Sequence, residues 1–283
     1  MSGHFFHLHL VSDATGETLI AVARAAASQY SNTKPIEHIH PLIRTERQLE
    51  KILTRLEDEP GIVLYTLVNQ DLSERLERYC QELHIPVCNI LHPVFNIFQS
   101  YLGASQQGLA GAQHSLDSGY FKRIDAMNFT MAHDDGQSPQ SVGEADIIIV
   151  GISRTSKTPT SVYLANRGLR VANIPLVPDI PLPAPIQTYT KPLVIGLIAS
   201  PSRIMQIRQN RILGFDGEGR ESDYLNRNRI GEEIAYTRTM CQRNQWPVLD
   251  VTRKSIEETA AEIYKYYQRH RKQTSEKAAK DQS

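Results

Sequence analysis

The sequence predicts an α/β fold, and three observations carry that prediction. Apolar runs of strand length alternate with stretches of helical periodicity, the pattern of a mostly parallel sheet covered by helices. One run, Ile147-Ile148-Ile149-Val150, empties through Gly151 into small polar residues and then Lys157-Thr158, a strand-to-helix turn that such folds use to hold ligands. At 283 residues, 40% of them hydrophobic, the chain can bury one large core or two smaller ones.

Each element follows from the local pattern. Phe5 to Val11 reads as the first strand, and Ser12-Asp13-Ala14-Thr15-Gly16-Glu17 turns it into an Ala-rich helix ending near Tyr30. Ile36 to Ile43 is a second strand, followed by a helix over Thr45 to Leu56, the strand Gly61 to Val68, a helix over Asp71 to Leu83 and a short strand Val87 to Leu91. Gly103 to Gly119 is rich in Gly, Ser, Ala and Gln and reads as a connection. Tyr120 to His133 has helical spacing and leads to Asp134-Asp135-Gly136 and the strand Ile147 to Val150. The next helix has Pro159 in its first turn and stops at Gly168. Val171 to Val177 is a strand whose Pro175 weakens its end or places it at an edge. An extended loop over Pro178 to Pro185, a buried strand over Pro192 to Ile198 and a helix bearing Arg203, Arg208 and Arg211 come next. A polar segment from Gly214 to Asn228 precedes a long helix over Ile230 to Asn244. A strand over Pro247 to Val251 and a helix with a Ser255–Glu258 capping box close the chain, whose tail beyond His270 is expected to fray. No internal repeat is visible.

Composition narrows the function classes. Lys+Arg and Asp+Glu both number 31, so no global charge points to nucleic acid or an anionic membrane, and any anion must be recognised locally. No signal peptide opens the sequence and no apolar run approaches the ~20 residues of a membrane span, so a soluble, cytoplasmic protein is expected. Cys80, Cys88 and Cys241 form no pair or framework and read as buried thiols in a reducing compartment.

The segment Gly151-Ile152-Ser153-Arg154-Thr155-Ser156-Lys157-Thr158 has the layout of a phosphate-binding P-loop. Its backbone N–H groups would wrap phosphate oxygens, Lys157 would supply a mobile cation, and the Thr158 hydroxyl would hold Mg²⁺ at a helix N-terminus that favours anions. Ser156 stands where the usual pattern has Gly, so a residue here has to take a conformation that Gly takes more easily.

Four further constellations invite scrutiny. Arg208 and Arg211 share a helix face with Arg203 one turn earlier; they suit phosphate oxygens, or form a basic face paired with acids. Asp134 and Asp135 can bind Mg²⁺ or orient a hydroxyl, and Asp-Asp-Gly is also ordinary turn chemistry. Ser12, Asp13, Thr15 and Gly16 lie where a doubly wound sheet gathers ligands and form a possible second anion site, or a plain helix cap. His7-x-His9 and His38-x-His40 follow strand spacing, each pair on one face, but no Cys or carboxylate sits at zinc spacing and a zinc site is disfavoured.

Taken in order, His7-Leu8-His9-Leu10-Val11-Ser12-Asp13-Ala14-Thr15-Gly16-Glu17-Thr18, His133-Asp134-Asp135-Gly136, the 151–161 segment, Ala172-Asn173-Ile174-Pro175 and Ile256-Glu257-Glu258-Thr259-Ala260 give the chain a specific likeness. It resembles the pyruvate, phosphate dikinase regulatory proteins, a bifunctional kinase/phosphorylase group. The resemblance implies a kinase that uses ADP to phosphorylate a threonine beside the catalytic histidine of the dikinase when that histidine is itself phosphorylated. It also implies the reverse, in which inorganic phosphate attacks the phosphothreonine and pyrophosphate leaves. The family's nucleotide motif falls on Gly151 to Thr158, and Thr155-Ser156 favours the dikinase branch over the related phosphoenolpyruvate synthetase regulators, which typically carry Cys-Gly there. In that frame Lys157 grips the transferring group, Asp135 orients the target threonine, Asp134 and Thr158 hold Mg²⁺, and Arg208 and Arg211 screen repulsion between phosphates.

The expected architecture is a doubly wound parallel-sheet lobe over residues 1–103, a linker over 104–119 and a P-loop-kinase-like α/β lobe over 120–283, in a homodimer as the resemblance implies. The rivals are an ATP-using small-molecule kinase, the same chemistry directed at phosphoenolpyruvate synthetase, and a non-catalytic nucleotide sensor that blocks the dikinase.

Overall fold

The computed structural model describes residues 4–104, 108–110, 118–178, 180–182, 186–212 and 225–280. The chain divides into two compact units, Met1–Ser115 and Leu116–Ser283.

The first unit runs β1 (His4–Ser12), α1 (Glu17–Ala27), β2 (Thr33–His40), α2 (Glu46–Asp58), β3 (Gly61–Thr66), α3 (Gln70–Glu82), β4 (Val87–Asn89) and α4 (His92–Leu102). Its four strands pair in the order β2-β1-β3-β4, all parallel. Alternation along β1 sends Leu8 and Leu10 to the α1 side, against Leu19 and Ala23. Val11 points the other way and joins Val63, Tyr65 and the buried leucines of α2 and α3. Leu49, Leu56 and Leu76 are fully buried there, each stabilising the unit by about 1.5–3 kcal/mol relative to exposure. Thr45 and Gln48 form a reciprocal capping box that starts α2.

Helix α4 is a departure from the sequence reading. Pro93 occupies its first turn and Gly103, at φ 64°, ends it in the left-handed region. Val94, Ile97, Phe98, Tyr101 and Leu102 fall at helical spacing along one face and are all exposed.

The second unit runs α5 (Ser118–Ala132), two 3₁₀ turns (Asp134–Gly136 and Pro139–Glu144), β5 (Ile147–Gly151), α6 (Lys157–Ala165), β6 (Val171–Pro175), a 3₁₀ turn (Ile186–Thr188), β7 (Leu193–Ile198), α7 (Pro201–Ile212), α8 (Arg227–Arg243), β8 (Val248–Asp250) and α9 (Ile256–Lys280). Its sheet is again parallel, in the order β6-β5-β7-β8. Every residue of β5 and β7 is buried, as expected for interior strands of a sheet covered on both faces. Ile147 and Ile149 pack with Leu164, Ile204 and Ile263 on one face, while Ile148 and Val150 pack with Ala172, Ile174 and Cys241 on the other. β6 lies at the sheet edge and ends on Pro175, the position at which a missing N–H costs least.

Counted from its own first strand, the second sheet has the same order as the first, although no sequence repeat announces it. Three expectations change. The terminal helix does not fray at His270 but continues to Lys280, started by the Ser255–Glu258 box. Cys80 and Cys241 are buried, whereas Cys88, on the short edge strand β4, is exposed. Most of the polar 214–228 segment and part of the 178–185 loop lie outside the described residues, and α8 starts at Arg227. Among the described residues no helix is long and apolar enough to cross a membrane.

Candidate functional site

In a parallel sheet of this order, the ends of β5 and β7 diverge toward helices on opposite faces, and the crevice outside their carboxyl ends is where ligands collect. The loop after β5 is built for that position. Gly151 has φ 152°, and a Cβ there would lie 2.4 Å from the Leu197 carbonyl oxygen of β7, so only glycine lets the chain leave the sheet here. Two residues that are not glycine then turn left-handed, Arg154 at φ 76° and Ser156 at φ 59°. Each costs about 1 kcal/mol or more, and the buried Ile152 and Thr155 hold the turn in place. The Thr155 hydroxyl donates to the Ile152 carbonyl at 2.9 Å, closing the loop on itself.

This path delivers Lys157 to the first turn of α6, only 6% exposed, with its Nζ donating to the Ile152 carbonyl at 3.0 Å. Burial pushes its pKa down to about 8, against the pull of Asp135 and Asp134 and with the help of Arg154. A desolvated ammonium beside the unshared N–H groups of a helix N-terminus is strongly complementary to an anion.

The next residue, Thr158, faces a small polar cluster. Its hydroxyl donates to Asp134 Oδ1 at 2.9 Å and accepts from Asn173 Nδ2 at 2.9 Å, and the same amide also donates to Asp134 Oδ1. Asp134 and Thr158, paired as metal-binding candidates from sequence, are thus brought together. Asn173 was not singled out. It is 1% exposed on β6, its backbone N–H donates to the His133 carbonyl at 3.0 Å, and its Oδ1 is buried with no hydrogen-bond partner among the described residues. The available signal was one polar residue inside an otherwise apolar strand.

His133 anchors the turn that carries both aspartates. Its ring stacks on Phe129 with centroids 3.8 Å apart, Nδ1 donates to the Phe129 carbonyl at 2.7 Å, and Nε2 lies 2.7 Å from Ser141 Oγ. Asp135 follows in the left-handed region at φ 54°, with its carboxylate exposed and electrostatically coupled to Lys157.

The remaining sequence candidates fall elsewhere. Arg208 is 2% exposed and forked onto Glu233 of α8, with its closer nitrogen 2.6 Å from Oε2, so it braces α7 against α8 instead of facing solvent as a phosphate ligand. Arg211 lies on α7, but its side chain is outside the described residues. Arg203 is exposed and donates to Gln206.

In the first unit, the possible second anion site is internally satisfied. Ser12 Oγ accepts from the Ala14 N–H and from Thr66, and Asp13 Oδ2 accepts the Val68 N–H at 2.8 Å. These bonds stitch the loop after β1 to the loop after β3. A buried carboxylate there also opposes an anion. Gly16 caps α1 at φ 82°, and Thr15 is exposed.

Comparison with known proteins agrees in extent with the whole of this architecture. The family model described as kinase/pyrophosphorylase matches residues 8–264. A pyruvate, phosphate dikinase regulatory protein of Bradyrhizobium diazoefficiens is 53% identical over 276 residues, covering 97% of this chain and 99% of the relative. A protein of the same name from Chelativorans sp. is 59% identical, covering 92% of this chain and 95% of its own length. Another from Brucella anthropi is 57% identical over 94% of this chain and 96% of its own.

Proposed function

We propose a function from one premise: the chain belongs to the kinase/pyrophosphorylase family. It is a phosphotransferase that regulates pyruvate, phosphate dikinase, the role carried in its relatives' names. In finer detail, it is a serine/threonine kinase that takes ADP as donor and inactivates the dikinase by phosphorylating a threonine. The same protein is a phosphorylase that removes the mark with inorganic phosphate. The observation that carries this reading is the desolvated Lys157 in a left-handed loop beside the Asp134–Thr158–Asn173 cluster.

Phosphoryl transfer needs positioning and charge neutralisation more than covalent help. The 151–158 loop grips the ADP phosphates, and Lys157 leaves the Ile152 carbonyl for the transferring phosphoryl group. Asp134 and Thr158 offer an all-oxygen donor set, which fits Mg²⁺, an ion that would neutralise phosphate charge when bound. Asn173 holds both ligands in register with its one amide. Asp135, exposed next to Lys157, orients the threonine hydroxyl and takes its proton as the oxygen–phosphorus bond forms and AMP departs. In the other direction, bound phosphate attacks the phosphothreonine phosphorus, pyrophosphate forms, and the threonine oxygen regains its proton. Arg154, on the loop itself, and Arg211 supply the screening first assigned to Arg208 and Arg211. A cytoplasmic homodimer belongs to the same reading, and sedimentation equilibrium tests the dimer.

The test is to mix the untagged protein with histidine-phosphorylated dikinase and ADP and to search for phosphothreonine by mass spectrometry. Phosphothreonine and AMP, both absent with Lys157→Ala, support the reading. Modification with ATP alone, or of phosphoenolpyruvate synthetase alone, overturns the donor or the target. Inhibition without any phosphothreonine overturns catalysis in favour of a nucleotide sensor. Asp135→Asn should lower the kinase rate, and unchanged rates in both directions would remove Asp135 from its role.

A further inference from the structure

The first unit holds a cluster of imidazoles that the phosphotransfer reading does not use. β1 and β2 pair in parallel with His9 opposite His38, which puts His7, His9, His38 and His40 on one face of the sheet. Their rings stack in a ladder, with centroids 5.0 Å apart for His7–His38, 4.5 Å for His9–His38 and 5.5 Å for His9–His40. His9 and His38 are buried, and burial moves the pKa values of His9, His38 and His40 down from the usual imidazole value.

A carboxylate reaches the same place from a distant part of the sequence. Glu59 follows α2, and its turn sits tightly on β1 because Gly61 has no side chain: a Cβ there would lie 2.1 Å from the His7 carbonyl oxygen. His9 Nε2 donates to the Glu59 carbonyl at 2.8 Å and fixes that turn. One ligand atom from each of His7, His38 and Glu59 then lies within 4.8 Å of the other two.

We propose that His7, His38 and Glu59 form a binding site for a borderline divalent transition metal ion, such as Zn²⁺, separate from the Mg²⁺ ligands of the second unit. Two imidazoles and one carboxylate are a recurrent zinc donor set, and mixed nitrogen–oxygen chemistry disfavours Mg²⁺. Two contacts compete with the ion: the hydrogen bond between His7 Nδ1 and His38 Nε2, 2.8 Å apart, and the Arg55 cation. Its guanidinium bonds to Glu59 Oε2 at 2.7 Å and to His38 Nδ1 at 3.0 Å. Arginine only donates, so His38 Nδ1 carries a lone pair, and that nitrogen lies 3.7 Å from Glu59 Oε2. The Arg55 side chain is 49% exposed and can withdraw to solvent, leaving a lone pair and a carboxylate for the ion. His9, through the Glu59 carbonyl, acts as a support that holds the turn.

The test titrates untagged, chelator-treated full-length protein with Co²⁺, read by visible ligand-field absorption, and with Zn²⁺, read by bound metal after gel filtration and by thermal melting. Wild type is expected to bind one ion per chain with the intense Co²⁺ spectrum of a four-coordinate site and to melt higher with Zn²⁺. His7→Gln and His38→Gln should lose both effects while keeping the wild-type far-UV circular dichroism. Arg55→Gln discriminates further: a metal site gains affinity about tenfold when the competing cation is removed, whereas a merely hydrogen-bonded cluster gains none. Absence of stoichiometric binding in wild type, binding that survives His38→Gln, or no gain in Arg55→Gln would overturn the proposal. If His38→Gln fails to fold, Glu59→Gln carries the same expectation from the exposed end of the site.

Discussion

The loops after β5 and after β1 occupy equivalent places in two sheets of identical strand order, and they have opposite chemistry. After β5 the chain accepts two strained residues and buries a lysine whose ammonium donates to a carbonyl of its own loop. After β1 the polar groups are spent on each other: Ser12 on Thr66 and Ala14, Asp13 on Val68. The difference teaches that a topological switch point offers a crevice but not a ligand. A site also needs charge left in reserve, and in this chain that reserve is in the second unit.

The largest expected effect tests that reserve directly. Lys157→Ala should lower phosphoryl transfer by about 10²–10³-fold, as loss of a principal transition-state donor does, with the thermal melt little changed; steady-state rates on phosphorylated dikinase check it. The equivalent lesion in the other loop should do the reverse. Asp13→Ala leaves the Val68 N–H without its acceptor, so stability should fall by about 1–3 kcal/mol in urea titration while the rate per folded molecule holds. A fall in rate of the size seen for Lys157→Ala would show the two loops to be alike after all.

The comparison also has a pH signature. The Lys157 pKa lies near 8 in the folded chain and below its unfolded value, so its contribution to stability is lost as pH falls from 10.5 toward 8. A bound phosphate raises that pKa, so nucleotide binding above pH 8 should take up a proton and weaken with rising pH. Calorimetry at pH 8.5 in buffers of different ionisation enthalpy measures the uptake, which Lys157→Ala should abolish. The smallest effect is expected at the strained turn: Ser156→Gly relieves a left-handed φ of 59° and should stabilise the second unit by about 0.5–1 kcal/mol in thermal melts.

Much of the fold was legible because buried parallel strands are written as apolar runs, and β5 with its loop was clearest of all. The Asp134–Thr158 pairing could be anticipated from residue chemistry, since a carboxylate and a loop hydroxyl are both oxygen ligands, although they lie 24 residues apart on either side of β5. Other features depend on contacts that no local window holds. Asn173 meets Asp134 across 39 residues, and Glu59 meets His38 across the α2 helix, which is why zinc spacing was not seen. Arg208 had the residue type of a phosphate ligand, and its partner Glu233 lies 25 residues on. Helix α4 was missed because Pro93 reads as a breaker until its first-turn position is known.

Each four-stranded sheet is assembled from one uninterrupted stretch of chain, with no strand borrowed from the other unit. During synthesis, therefore, every hydrogen-bonding partner of the first sheet has left the ribosome before β5 is made. The imidazole ladder and the stitched loops around β1 can close while the loop after β5 is still untranslated. The strained turn at Arg154 and Ser156 then forms on a chain whose first sheet can already have its four strands paired.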